Sequence, residues 1–188
     1  MIVVLGRPRL DPEGALADTA GRLAVAARVS GASVDLVGAV PDGADGDATV
    51  VALGRAGVGH AAVLRRPGGG EVRPLDRGDV ELGLRYVPEC RVLVAAEPLE
   101  PDALAATIEA ATYHGAALIC VIPADAVAPT DLPETATVLE LPDEDDGAFA
   151  KLVGAYAAGL ASGAAATEAW RAAVEQTGWE TASESAGE

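Results

Sequence analysis

The sequence predicts an α/β fold with a mostly parallel sheet and helices on both faces. Three observations carry this. Short apolar runs alternate along the chain with longer Ala-rich stretches of helical spacing, and that alternation builds parallel β-α-β units. Glycines at 31, 57, 115 and 163 follow the helical stretches, where a left-handed residue ends a helix. The run AALICVI over 116–122 is continuously apolar, as in a strand buried on both faces.

The elements follow in order. Residues 1–5 (MIVVL) read as the first strand. Leu16, Ala20, Leu23, Ala24 and Ala27 place a helix over 16–30, closed by Gly31. Residues 33–40 (SVDLVGAV) form a strand, 45–56 a helix stopped at Gly57, and 61–64 a short strand. Pro67 and the three glycines after it read as a turn or flexible loop. A short helix over 79–86 precedes a strand over 91–95 (RVLVA). Residues 100–114 form a helix with Leu104, Ile108 and Ala111 on one face. The strand at 116–122, a Pro-rich loop at 123–134 and a strand at 137–141 follow. Helices at 146–162 and 167–177, split by Gly163, close residues 1–180 as one domain. Residues 181–188 read as a disordered acidic tail.

Composition bounds the function. The 188 residues carry 13 basic against 29 acidic side chains, a net charge of −16. Phosphate neutralisation needs clustered Lys and Arg, whereas Lys151 is the only lysine and Arg65-Arg66 the only basic pair. Nucleic acid and an anionic membrane surface are therefore disfavoured as partners. No run of about 18 apolar residues occurs, so no transmembrane helix is expected. The apolar N-terminus lacks a basic n-region and reads as a strand rather than a signal peptide. Cys90 and Cys120 sit in or beside apolar runs, as buried free thiols of a cytoplasmic protein.

Each candidate motif has a plainer reading. Gly57-Val58-Gly59-His60-Ala61-Ala62 has the spacing of a dinucleotide fingerprint, but it follows a helix and leads into a strand, the reverse of what pyrophosphate binding needs. It reads as a helix stop. His60 and His114, the only histidines, have no zinc-ligand spacing and read as loop or helix-end residues. No P-loop and no G-x-S-x-G elbow is present. Arg65-Arg66 before the glycines reads as a hairpin tip rather than an anion nest. Asp143-Glu144-Asp145-Asp146 places acids at a helix start, with Asp146 as N-cap; a hard-cation site is the alternative.

The ordered stretch LAVAARVSGASVDLVGAVPD over 23–42 resembles the N-terminal signature of the ribokinase (PfkB) carbohydrate kinases. Residues 52–58 resemble that family's next helix end, and Gly147-Ala148-Phe149 with 155–163 (AYAAGLASG) resemble its late helix signature. The resemblance implies a three-layer α/β/α fold and transfer of phosphate from ATP–Mg²⁺ to a sugar or nucleoside hydroxyl. It places substrate contacts on Asp11, Asp18, Arg22, Asp42 and Gly43. It places an anion hole on Glu144, Asp145 and Gly147.

The departures weigh against activity. Where the family has Gly-Gly and Asn at the sugar, this chain has Ala17, Asp18 and Arg22; Gly43 stands where a second acid belongs. The segment between Asp11 and Ala17 has room for a turn but not for the β lid. The catalytic-base position falls on Gly147, which cannot accept a proton, leaving Asp146 as the nearest candidate base. Acids in the anion hole repel phosphate: two charges 4 Å apart cost about 4 kcal/mol at an effective dielectric of 20. The resemblance implies roughly 300 residues, near the limit of one core, so the lid and part of the nucleotide half are expected to be missing. The expectation is a degenerate kinase homologue that binds a small polyol, sugar or nucleoside, needs no cofactor and exposes a face or edge for a second copy. The alternative is an active minimal kinase using ATP and Mg²⁺. A further alternative is a non-catalytic oligomeric or protein-interaction module.

Overall fold

The structure, a computed structural model, describes residues 1–67, 72–143 and 147–179. Its elements run β1 (Ile2–Gly6), α1 (Thr19–Val29), β2 (Val34–Pro41), α2 (Ala44–Arg55), β3 (Gly59–Arg66), α3 (Arg77–Leu84) and β4 (Val92–Ala95). Then come α4 (Pro101–His114), β5 (Ala117–Pro123), β6 (Thr137–Leu141), α5 (Ala148–Ser162) and α6 (Ala166–Thr177). The strands form one sheet in the order β3-β2-β1-β4-β5-β6, and each neighbouring pair is parallel.

The order explains the layers. The chain adds strands outward from β1 to β3, then returns to the middle and adds outward from β4 to β6. Right-handed crossovers put the helices of two such halves on opposite faces. On one face Ile2 and Val4 pack with Leu23, Ala24 and Ala27 of α1, Leu53 of α2, and Phe149, Leu152 and Val153 of α5. On the other, Val3 and Leu5 pack with Val80 of α3 and Ala103 and Leu104 of α4. β1 is buried along its whole length, and each fully buried Leu or Ile contributes about 1.5–3 kcal/mol. The Pro-rich link between β5 and β6 crosses without a helix; its Leu132 packs on the α3–α4 side.

The glycines end helices as their positions predict. Gly31, Gly57, Gly115 and Gly163 all have positive φ, from +60° to +98°. Gly57 is thus a helix stop before β3 and holds no nucleotide motif.

Several expectations change. α1 begins at Thr19 rather than 16, because Asp18 caps it and Leu16 pairs with Leu10 in an antiparallel bridge. α3 begins at Arg77, because Asp76 and Asp79 form a reciprocal capping box: Asp79 N–H donates to Asp76 and Asp76 N–H to Asp79. β3 is longer than 61–64 and reaches Arg66, so Arg65-Arg66 is not a hairpin tip. Arg65 pairs with Asp47 at 2.7 Å and Arg66 with Asp79. His60 is likewise a strand residue, its Nδ1 3.1 Å from the Val58 carbonyl. α5 is capped by Gly147 rather than by the expected Asp146, since it starts at Ala148. Glu144, Asp145 and Asp146, the glycines 68–70 and the tail 181–188 lie outside the described residues. Among the described residues, no helix is long and apolar enough to cross a membrane.

Cys90 and Cys120 are free and only 5% and 3% exposed. Burial pushes both thiols up to about 11. The thiolate is the reactive form, so Ellman's reagent at pH 8 should find almost no reactive thiol in the folded protein and both thiols after denaturation. The unfolded chain releases these protons near pH 9 while the folded chain keeps them, so the urea midpoint should fall as pH rises above 9.

Candidate functional site

The sheet reverses its direction of growth between β1 and β4. In open parallel sheets the crevice outside the carboxyl ends of two such strands is where ligands bind. The chain leaves β1 into Arg7 and leaves β4 into Ala96 and Glu97. Between them lies a crevice of about 180 Å³, lined by Arg7, Arg9, Asp18, Thr19 and Glu97 among others. Gly6 shapes it: a Cβ there would lie 2.6 Å from that of Ala20, so only glycine lets the start of α1 settle onto the strand end.

The crevice is held by charge pairing. Arg7 Nε donates to both Glu97 carboxylate oxygens, at 2.8 and 3.1 Å, and its guanidinium also donates to the Val72 carbonyl at 2.7 Å. Asp18 is the N-cap of α1; its carboxylate accepts from the N–H groups of Gly21 and Arg9. Burial pushes the Asp18 carboxyl above the usual carboxylate range, against the lowering effect of those backbone hydrogen bonds.

The residues that the resemblance implies for one site are distributed over three places. Asp18 lines the crevice, with Ala17 beside it. Asp11, Arg22 and Gly147 instead line a groove of about 920 Å³ over α1, together with Lys151 of α5. Asp11 closes its own turn there, its Oδ1 accepting from Ala15 N–H at 2.8 Å. Asp42 and Gly43 line neither space. The Asp42 carboxylate accepts from Gly43 N–H at 3.1 Å, and Gly43 is the N-cap of α2 with φ +100°. Gly147 is the N-cap of α5, with φ +96°. Glu144, Asp145 and Asp146 lie outside the described residues.

Arg7, Arg9 and Glu97 were not expected from the sequence. Their signal is position: each follows the carboxyl end of a strand, but only the strand order shows that the two strands are neighbours. In place of a lid, residues 10–16 form a tight turn closed by one antiparallel bridge between Leu10 and Leu16. Among the described residues, no cluster of three His, Cys, Asp or Glu side chains is arranged to hold a metal ion.

No family model and no curated protein matches the sequence. Solved structures do match. Phosphofructokinase-2 from Escherichia coli is 17% identical with a TM-score of 0.59, over 92% of this chain and 90% of that one. A candidate phosphofructokinase from Staphylococcus aureus is 12% identical with a TM-score of 0.59, over 93% and 89%. A candidate ribokinase from Agrobacterium tumefaciens is 13% identical with a TM-score of 0.57, over 92% and 88%. Identities this low show a shared architecture: the chain has the ribokinase-like fold.

Proposed function

We propose that this protein is a ribokinase-like domain without phosphotransferase activity, which binds a small polyol, sugar or nucleoside at the carboxyl ends of β1 and β4. The size of the crevice carries the reading. At about 180 Å³ it is smaller than the roughly 300–1,000 Å³ of ordinary ligand pockets, a size for a small polyol rather than for a sugar facing a nucleotide triphosphate. The groove of about 920 Å³ over α1 is large enough for those, and there Gly147 stands at the base position.

The side chains support the same reading. Asp11 is engaged by Ala15 N–H, Asp18 by Arg9 and Gly21 N–H, and Asp42 by Gly43 N–H. Gly147 offers no general base. The proposed binding needs no cofactor.

Calorimetry with ATP–Mg²⁺ and a panel of polyols, sugars and nucleosides tests the proposal. A polyol, sugar or nucleoside should raise the melting temperature without any ADP release, and Arg9→Ala should remove the shift. ADP production that depends on a sugar and is lost in Asp146→Asn would overturn it in favour of an active minimal kinase.

A further inference from the structure

We propose that Glu97 divides one ligand site into a polar and an apolar half, and that the ligand is a neutral polyhydroxylated head carrying a compact apolar substituent. This rests on the crevice being the ligand site. A second cavity, of about 190 Å³, adjoins it along the ends of β4 and β5. Its walls include Leu99, Leu104, Cys120, Ile122 and Val127, and among the described residues Glu97 alone lines both spaces. Each space alone is below the size of an ordinary ligand pocket, and the two together exceed its lower limit of roughly 300 Å³.

The two halves differ in chemistry. The crevice offers Arg9 and Thr19 to hydroxyl groups, and among the described residues its lining carries two basic and two acidic side chains, Arg7 paired with Glu97 and Arg9 beside Asp18. A neutral head fits this balance, whereas an added anion would meet a chain of net charge −16. Among the described residues the second cavity has no charged wall residue besides Glu97, so what enters it gains by leaving water. Val127, 90% exposed, is an apolar wall residue that packing leaves uncovered. Arg7 and Glu97 keep 22% and 20% of their side chains in solvent, so a ligand can reach both halves past Glu97 while Arg7 holds it and the Val72 carbonyl in place.

The test is calorimetry on the full chain with glucose, glycerol, and their methyl, ethyl, propyl and butyl glycosides or ethers. Affinity should rise about fourfold for each methylene from methyl to butyl. Ala126→Trp, which fills the apolar half, should abolish that rise and leave the free heads binding as before. Val127→Asp, an exposed change that cannot unfold the core, should flatten the series in the same way. A flat series with the free heads still binding overturns this inference alone, as does a rise unchanged in both variants. No binding by any head or derivative overturns the proposed function with it.

Discussion

Gly154→Val should unfold the protein under conditions where the parent chain is intact. Gly154 lies in α5 where that helix crosses α1, and a Cβ there would lie 2.6 Å from Ala27 N and 2.7 Å from the carbonyl carbon of Ala26. These are backbone atoms. α1 cannot retreat without uncovering Leu23, Ala24 and Ala27, which are at most 2% exposed. A glycine inside a helix normally gains about 1 kcal/mol on replacement by alanine. Here overpacking, at about 1–3 kcal/mol for a single methyl and more for a branched side chain, outweighs that gain. Gly154→Ala should therefore lose up to about 2 kcal/mol and Gly154→Val about 3 kcal/mol or more, read as urea midpoints by circular dichroism. An alanine variant as stable as the parent would mean that the helices are not in close contact.

Asp79→Ala should cost about 3–5 kcal/mol, the usual result of removing one partner from a buried ion pair. Asp79 is 6% exposed. Its carboxylate accepts from Arg66 and Asp76 N–H and lies 3.3 Å from an Arg73 nitrogen. Its loss strands Arg66, whose Nε is already buried without a partner among the described residues, and removes half of the capping box. The comparison is Arg77→Ala. Arg77 pairs with Glu81 and Glu109, but all three side chains are 41–64% exposed, and exposed pairs are worth about 0–1 kcal/mol. In the double variant Arg66→Met, Asp79→Leu, two matched apolar groups should recover much of the loss. If Asp79→Ala and Arg77→Ala have equal effects, the Asp79 pair is solvated after all.

The sequence carries local information well and long-range information poorly, and particular residues show why. Gly31, Gly57, Gly115 and Gly163 announce helix ends because one residue's backbone suffices. Apolar 116–122 announces a central strand because both of its faces are covered. β3 is harder to see, since an edge strand with His60, Arg65 and Arg66 has little hydrophobic alternation. The start of α3 is hard to read from the sequence because Asp76 and Asp79 act as a pair rather than as single signals.

The site shows the same division. Linear order along the resemblance puts Asp11, Asp18 and Arg22 in one place. In the fold, the 10–16 turn and the first turn of α1 separate Asp18 from the other two. Arg7 and Glu97, 90 positions apart, meet only because β4 returns to the side of β1.

The strand order has a consequence for how such a chain can vary. The first and fourth strands form the centre, and the strands made last in each half stand at the rim. β6, half-buried and five residues long, borders neither Arg7 nor Glu97. Lengthening, shortening or replacing rim strands changes the size of the molecule while the central cleft keeps its walls. Inheritance can therefore rework the periphery of this architecture independently of its middle, and protein engineers should graft new segments beside β6 rather than between β1 and β4.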